Sequence, residues 1–163
     1  MLVGFLAALP WVASSLLSFA FGALFERLEA RGWSSYQTRT VAHAAASLGA
    51  ALPMLLLGFN SRLGVGGALA CMGIALSMQT CNYPGFHAYV QLNCSQPGTV
   101  LGITNSLGII TGVIGNLATG AIVVATGSYQ AVFQVTAMFY ASSFLVWLLL
   151  LKGEPVYPRR AGV

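Results

Sequence analysis

The chain has 163 residues, of which only ten carry formal charge, seven Lys or Arg against three Asp or Glu. Soluble domains carry about a quarter charged residues; a chain that is 6% charged and 57% apolar falls outside that class. The net charge of +4 is scattered over loops and a tail with no aromatic interleaving, which speaks against a nucleic-acid surface.

The charges leave residues 1–25, 40–61 and 63–151 empty. A charge at the bilayer centre costs about 2.5–3.5 kcal/mol on insertion scales, so this placement fits a lipid bilayer as solvent. The apolar runs are continuous, not alternating, and long enough for helices of about 20 residues rather than barrel strands of about ten. In chain order the expected spans are Leu2–Phe25, Val41–Phe59, Val65–Tyr89, Val100–Thr126 and Tyr129–Leu151. The expected fold is an all-α, polytopic bundle of about five transmembrane helices over residues 1–151, with a short cytoplasmic tail at residues 152–163. Met1 is followed by no Lys or Arg, so the first run lacks the basic start of a secretory leader and reads as a span. Cys71, Cys81 and Cys94 have no metal-ligand spacing and read as small packing residues.

The first connection, Glu26–Thr40, holds Glu26, Arg27, Glu29, Arg31 and Arg39. Placing it in the cytoplasm puts Arg27, Arg31, Arg39, Lys152, Arg159 and Arg160 inside and Arg62 alone outside, as the positive-inside rule requires. The N-terminus is then outside.

The third span carries the most polar side chains: Ser77, Gln79, Thr80, Asn82, Tyr83, His87 and Tyr89. Polar groups in lipid must face a protein neighbour or a watery cavity, and both readings stand. Gln79, Asn82, Tyr83 and His87 are the cavity candidates, although His87 also suits a satisfied structural histidine. Pro84-Gly85 should kink or loosen the helix there. His43 falls near the cytoplasmic end of its span and reads as interfacial. In the fourth span Gly98, Gly102 and Ser106 are spaced by four, as are Gly108 and Gly112, and Gly115 and Gly120 follow. Small residues let helix backbones approach closely in lipid, so this span is expected to be enclosed on at least one face.

The spans hold no paired carboxylates, no metal-ligating cluster and no Ser/His/Asp set. No enzyme, cofactor or metal is expected. Ser14-Ser15 and Ser142-Ser143 read as hydroxyls bonded back to the helix backbone.

Gly22-Ala23-Leu24-Phe25-Glu26-Arg27 followed by Gly32 resembles the G-x-L-x-D-R…G cytoplasmic loop motif of the major facilitator superfamily, with Glu26 in place of Asp. Leu9-Pro10-Trp11, Arg31-Gly32-x-Ser34 and Arg39 are similar to the sialin-like anion:cation symporters. So are Leu101–Ser106 with Gly108, Gly112, Gly115 and Thr119-Gly120, and Tyr129-Gln130-x-Val132-Phe133 with Tyr140 and Gly153-Glu154. One departure is Gln91, where that family commonly has an acid in an N-H-x-D-I-A-P stretch. The resemblance implies helices eight to twelve of a twelve-helix carrier. It implies a small anionic solute and a coupling ion, H+ or Na+, with an N-terminal half as a further partner. It also places Asn105 in interhelical hydrogen bonding, Glu26 in pairing with a neighbouring helix or loop, and the chain as inactive alone. The alternative is a small polytopic scaffold or accessory subunit.

Overall fold

The computed structural model describes residues 2–60 and 62–151, with side chains from Trp11 onward. The tail with Lys152, Gly153-Glu154, Arg159 and Arg160 lies outside the described residues, as do the side chains of Leu9 and Pro10.

Six α-helices follow one another: α1 (Leu2–Ala30), α2 (Ser35–Phe59), α3 (Val65–Gln79), α4 (Ala88–Asn93), α5 (Pro97–Thr126) and α6 (Gln130–Leu150). A 3₁₀ turn at Thr80–Asn82 and a π turn at Tyr83–His87 join α3 to α4, so Val65–Asn93 is one helical rod and the bundle has five rods. Three helices, α2, α5 and α6, are long and apolar enough to cross a membrane among the described residues. The chain is an integral, multi-pass membrane protein.

Helix ends follow local chemistry. The first helix does not stop at Phe25. Glu26, Arg27 and Leu28 are good helix formers, so Gly22, Glu26 and Arg27 stand on α1 and not in a loop. The stop comes at Gly32, whose φ of 95° lies in the region glycine tolerates best. There Gly32 N donates to Glu29 O (2.9 Å) and Trp33 N to Leu28 O (3.2 Å), the two bonds of a Schellman stop. Two residues on, Ser34 opens α2 with a reciprocal cap: its Oγ accepts from Gln37 N, and its N donates to Gln37 Oε1. Pro97 opens α5 in the first turn, where a missing N–H costs nothing.

The second helix is the centre of the bundle. Ala42, Ala46 and Ala50, each spaced by four, are fully buried, and Ala51 nearly so. This stripe of small side chains lets α1, the α3–α4 rod and α6 close on α2. One cluster joins Ala50, Met54, Leu57, Cys71, Ala75 and Ala137; a second joins Phe25, Ala42, Ala46 and Cys81. Helix α6 is pinned to α2 along its length. Gln134 Nε2 donates to Gly58 O (2.8 Å), Trp147 Nε1 to Thr40 Oγ1 (3.1 Å) and Tyr36 Oη to Leu151 O (2.7 Å). The last bond puts the α1–α2 loop and the end of α6 at the same end of the bundle.

Within the described residues the close packing lies at α2, and the glycine face of α5 is open. None of the residues of α5 is buried, and a Cβ built on Gly102, Gly108, Gly112, Gly115 or Gly120 meets nothing within 4 Å. Small residues tighten a contact only where another backbone arrives, and the neighbours of α5 in this chain, α4 and α6, do not reach those glycines.

Candidate solute cleft

The cleft is built at the break in the α3–α4 rod. Proline at 84 removes a backbone donor, and the ladder shifts first to 3₁₀ and then to π spacing. Ala88 N donates to the carbonyls of Gly85 and Tyr83, so Pro84 O is left to another donor. Arg39 Nη1 supplies it at 2.9 Å. The π turn lies tight against α2: a Cβ on Gly85 would stand 3.0 Å from His43 N and 3.4 Å from Ala42 Cβ.

This turn aims four polar side chains at one cleft of about 390 Å³. Gln79, Asn82, Tyr83 and His87 line it from the rod, Trp11, Ser14, Ser15 and Ser18 from α1, and Asn105 from α5. The four cavity candidates are thus brought together. Tyr83 is 58% exposed, and its ring meets His87 at 5.2 Å between centroids. Asn105 is exposed and faces the cleft rather than a neighbouring helix, because no helix packs on that face of α5.

Behind the cleft wall runs a hydrogen-bonded relay. Gln79 Nε2 donates to Ala46 O (3.2 Å), and Asn82 Nδ2 donates to Gln79 Oε1 (2.8 Å). Asn82 Oδ1 lies 3.2 Å from His43 Nδ1. The far nitrogen, Nε2, lies 3.3 Å from Ser47 Oγ and 3.4 Å from Ser143 Oγ. His43 is therefore buried inside the bundle, stacked on Trp147 at 4.4 Å between ring centroids. The small residues around it, Ala42, Ala46 and Ser47, make the room.

The loop motif also resolves differently from expectation. Glu26 and Arg27 are exposed on α1, and Glu29, one helical turn closer to α2, makes the ion pair. Its Oε1 lies 2.9 Å from Arg39 Nη2 and accepts from Ser35 Oγ at 2.9 Å. Arg39 thus ties the first loop to the π turn. Gly22 and Gly32 have open space around them.

Sequence reasoning missed the α1 contribution and His43. The signal for the first was present: Ser14, Ser15 and Ser18 sit on one face of an apolar helix, one turn beyond Trp11. Ser15 Oγ does bond back to Trp11 O (2.9 Å), as isolated helix hydroxyls do.

The fold and cleft define a multi-pass helical membrane protein with a polar cleft among its helices. Comparison with known proteins is more specific. The chain is 31% identical over 152 residues to probable anion transporter 3, chloroplastic, of Arabidopsis thaliana, covering 93% of this chain and 29% of that protein. It is 29% identical to the chloroplastic ascorbate transporter of Arabidopsis thaliana, covering 94% of this chain and 28% of the relative. It is 27% identical to sodium-dependent phosphate transport protein 1, chloroplastic, of the same plant, covering 94% and 30%. No family model matches. The chain is similar to proteins named as anion transporters and spans less than a third of their length.

Proposed function

We propose that the chain forms part of a secondary active carrier that moves a small anionic solute by alternating access, coupled to H+ or Na+. The observation that carries this reading is the gathering of Gln79, Asn82, Tyr83 and His87, with the serines of α1, around one cleft beside the break in the rod. Such carriers hold solute near the bilayer midplane among broken helices, and the α3–α4 rod is broken beside the cleft. The printed names of the relatives, an ascorbate transporter and a sodium-dependent phosphate transport protein, support an anion.

The 163 residues bind solute and do not translocate it alone in this reading, since they span less than a third of the relatives and line the cleft from one side. The α1–α2 loop and the tail face the cytoplasm, and the bundle's partners are lipid, solute, coupling ion and the remainder of a longer carrier.

Radiolabelled phosphate added to the chain in liposomes tests both halves of the proposal. Saturable binding, weakened by Gln79→Ala and Asn82→Ala, with no uptake above empty vesicles, is the expected result. Uptake by the chain alone would refute its inactivity. Binding that ignores both substitutions would remove the cleft from the account.

A further inference from the structure

Among the described residues the cleft wall contains no Lys or Arg, yet an anion is its proposed solute. We propose that His43, from behind the wall, makes Asn82 and Gln79 present N–H donors to the cleft, so that neutral donors take the place of a cation in binding an oxyanion. The inference deepens the cleft reading and rests on it.

The sense of the relay is fixed at a backbone atom. Ala46 O can only accept, so the Gln79 group 3.2 Å from it is Nε2. That turns Gln79 Oε1 toward Asn82, whose Nδ2 must then be the donor at 2.8 Å. Asn82 Oδ1 is left to His43 Nδ1, 3.2 Å away. An amide oxygen only accepts, so Nδ1 carries the proton. In the neutral ring Nε2 is then the acceptor, and the hydroxyls of Ser47 and Ser143, either of which can donate, lie 3.3 and 3.4 Å from it; the Ser143 backbone also faces the ring. Reversing any one member would set two acceptors or two donors against each other as far as Ala46. Trp147, stacked on the imidazole at an interplanar angle of 22° and held by Thr40, keeps the ring in plane.

What remains unused decides what the cleft offers. Each carboxamide nitrogen carries two hydrogens. One hydrogen of Gln79 goes to Ala46 and one of Asn82 goes to Gln79, leaving a second on each without a protein acceptor. Each carbonyl oxygen already accepts one hydrogen bond, that of Asn82 from His43 and that of Gln79 from Asn82, so the spare N–H groups favour an acceptor-rich solute such as a phosphate or carboxylate. His43 is a positioning residue, since it touches Asn82 and not the cleft. Without its N–H, Asn82 Oδ1 is free to turn toward solute and repel it.

The test uses the full chain in lipid nanodiscs. Nitrogen NMR of imidazole-labelled protein should show His43 neutral with the proton on Nδ1 and Nε2 bare. Phosphate affinity should fall about tenfold in His43→Leu, the effect of about one hydrogen bond to a charged group. It should return toward wild type in His43→Gln, whose amide N–H can reach Asn82. A proton on Nε2, or wild-type phosphate affinity in His43→Leu, would overturn the assignment. Failure of the wild-type chain to bind phosphate would count against the cleft reading instead; the tautomer, which needs no solute, still decides the relay.

Discussion

Two residues near the π turn carry consequences that single substitutions expose. Gly85 is one. Its hydrogen points at His43 N, and a methyl group there would stand 3.0 Å from that backbone atom, closer than ordinary contact allows. Gly85→Ala should therefore push the rod off α2 and cost about 1–3 kcal/mol, as overpacking does; unfolding in mixed SDS micelles measures it. Gly102→Ala, on the open face of α5, should cost nothing by the same assay and gain helix propensity. Arg39 is the other. Its guanidinium is 12% exposed and reaches Glu29 and Pro84 O at once. A lysine is a point charge without that fork, so Arg39→Lys should keep only one of the two contacts. Arg39→Gln should speed amide hydrogen exchange through residues 83–93, whereas Glu26→Gln should leave it unchanged. A double-mutant cycle between Glu29 and Arg39 should give a coupling energy of about 1 kcal/mol; zero coupling would mean that the pair contributes nothing.

At the scale of helices, the α2–α6 contact holds the bundle shut behind the cleft. Gln134 Nε2 to Gly58 O closes the contact where α2 ends and α6 begins. Gln134→Leu should destabilise by about 0.6 kcal/mol rather than by several, because polar groups also find partners when helices separate within lipid; the micelle unfolding curve checks this. Continuous apolar runs free of charge made the five rods legible in the sequence, and Pro84-Gly85 made the break legible. The ends were less so: charged residues were read as loop, whereas Glu26 and Arg27 simply continue a helix into the interface. The third span's polar residues were recognisable because each is costly in lipid without a neighbour. Serines of α1 were passed over, since a hydroxyl can satisfy itself on its own helix and so carries little signal alone. The glycine pattern of α5 meets no second backbone within this chain, whereas the alanine stripe of α2 does. Glycines in α5 are more conspicuous than alanines in α2, but only the three-dimensional arrangement says where a second backbone arrives. His43 escaped for the same reason: its burial depends on α6, which reaches it from 100 residues away.

For the molecule as a whole, the account needs a bundle with one sidedness and one wetted cleft. Tyr36 to Leu151 holds the first loop and the end of α6 together, so both face one compartment. The proposed orientation, drawn from the positive-inside rule, predicts that Arg62→Cys reacts with a membrane-impermeant thiol reagent in intact spheroplasts, and Arg27→Cys only after permeabilisation. The reverse pattern would invert the bundle while leaving the cleft chemistry intact.

The central claim is that water and an anion share the space between α1, the rod and α5. It is tested most directly by single cysteines in a chain whose Cys71, Cys81 and Cys94 have been replaced. Ser18→Cys lines the cleft, and Val124→Cys replaces a residue of α5 that is 87% exposed and away from it. The account predicts that a charged, water-borne thiol reagent modifies position 18 and not position 124, and that phosphate slows the reaction at 18 while an equal concentration of choline does not. An unreactive position 18, or a rate there indifferent to phosphate, would contradict the claim.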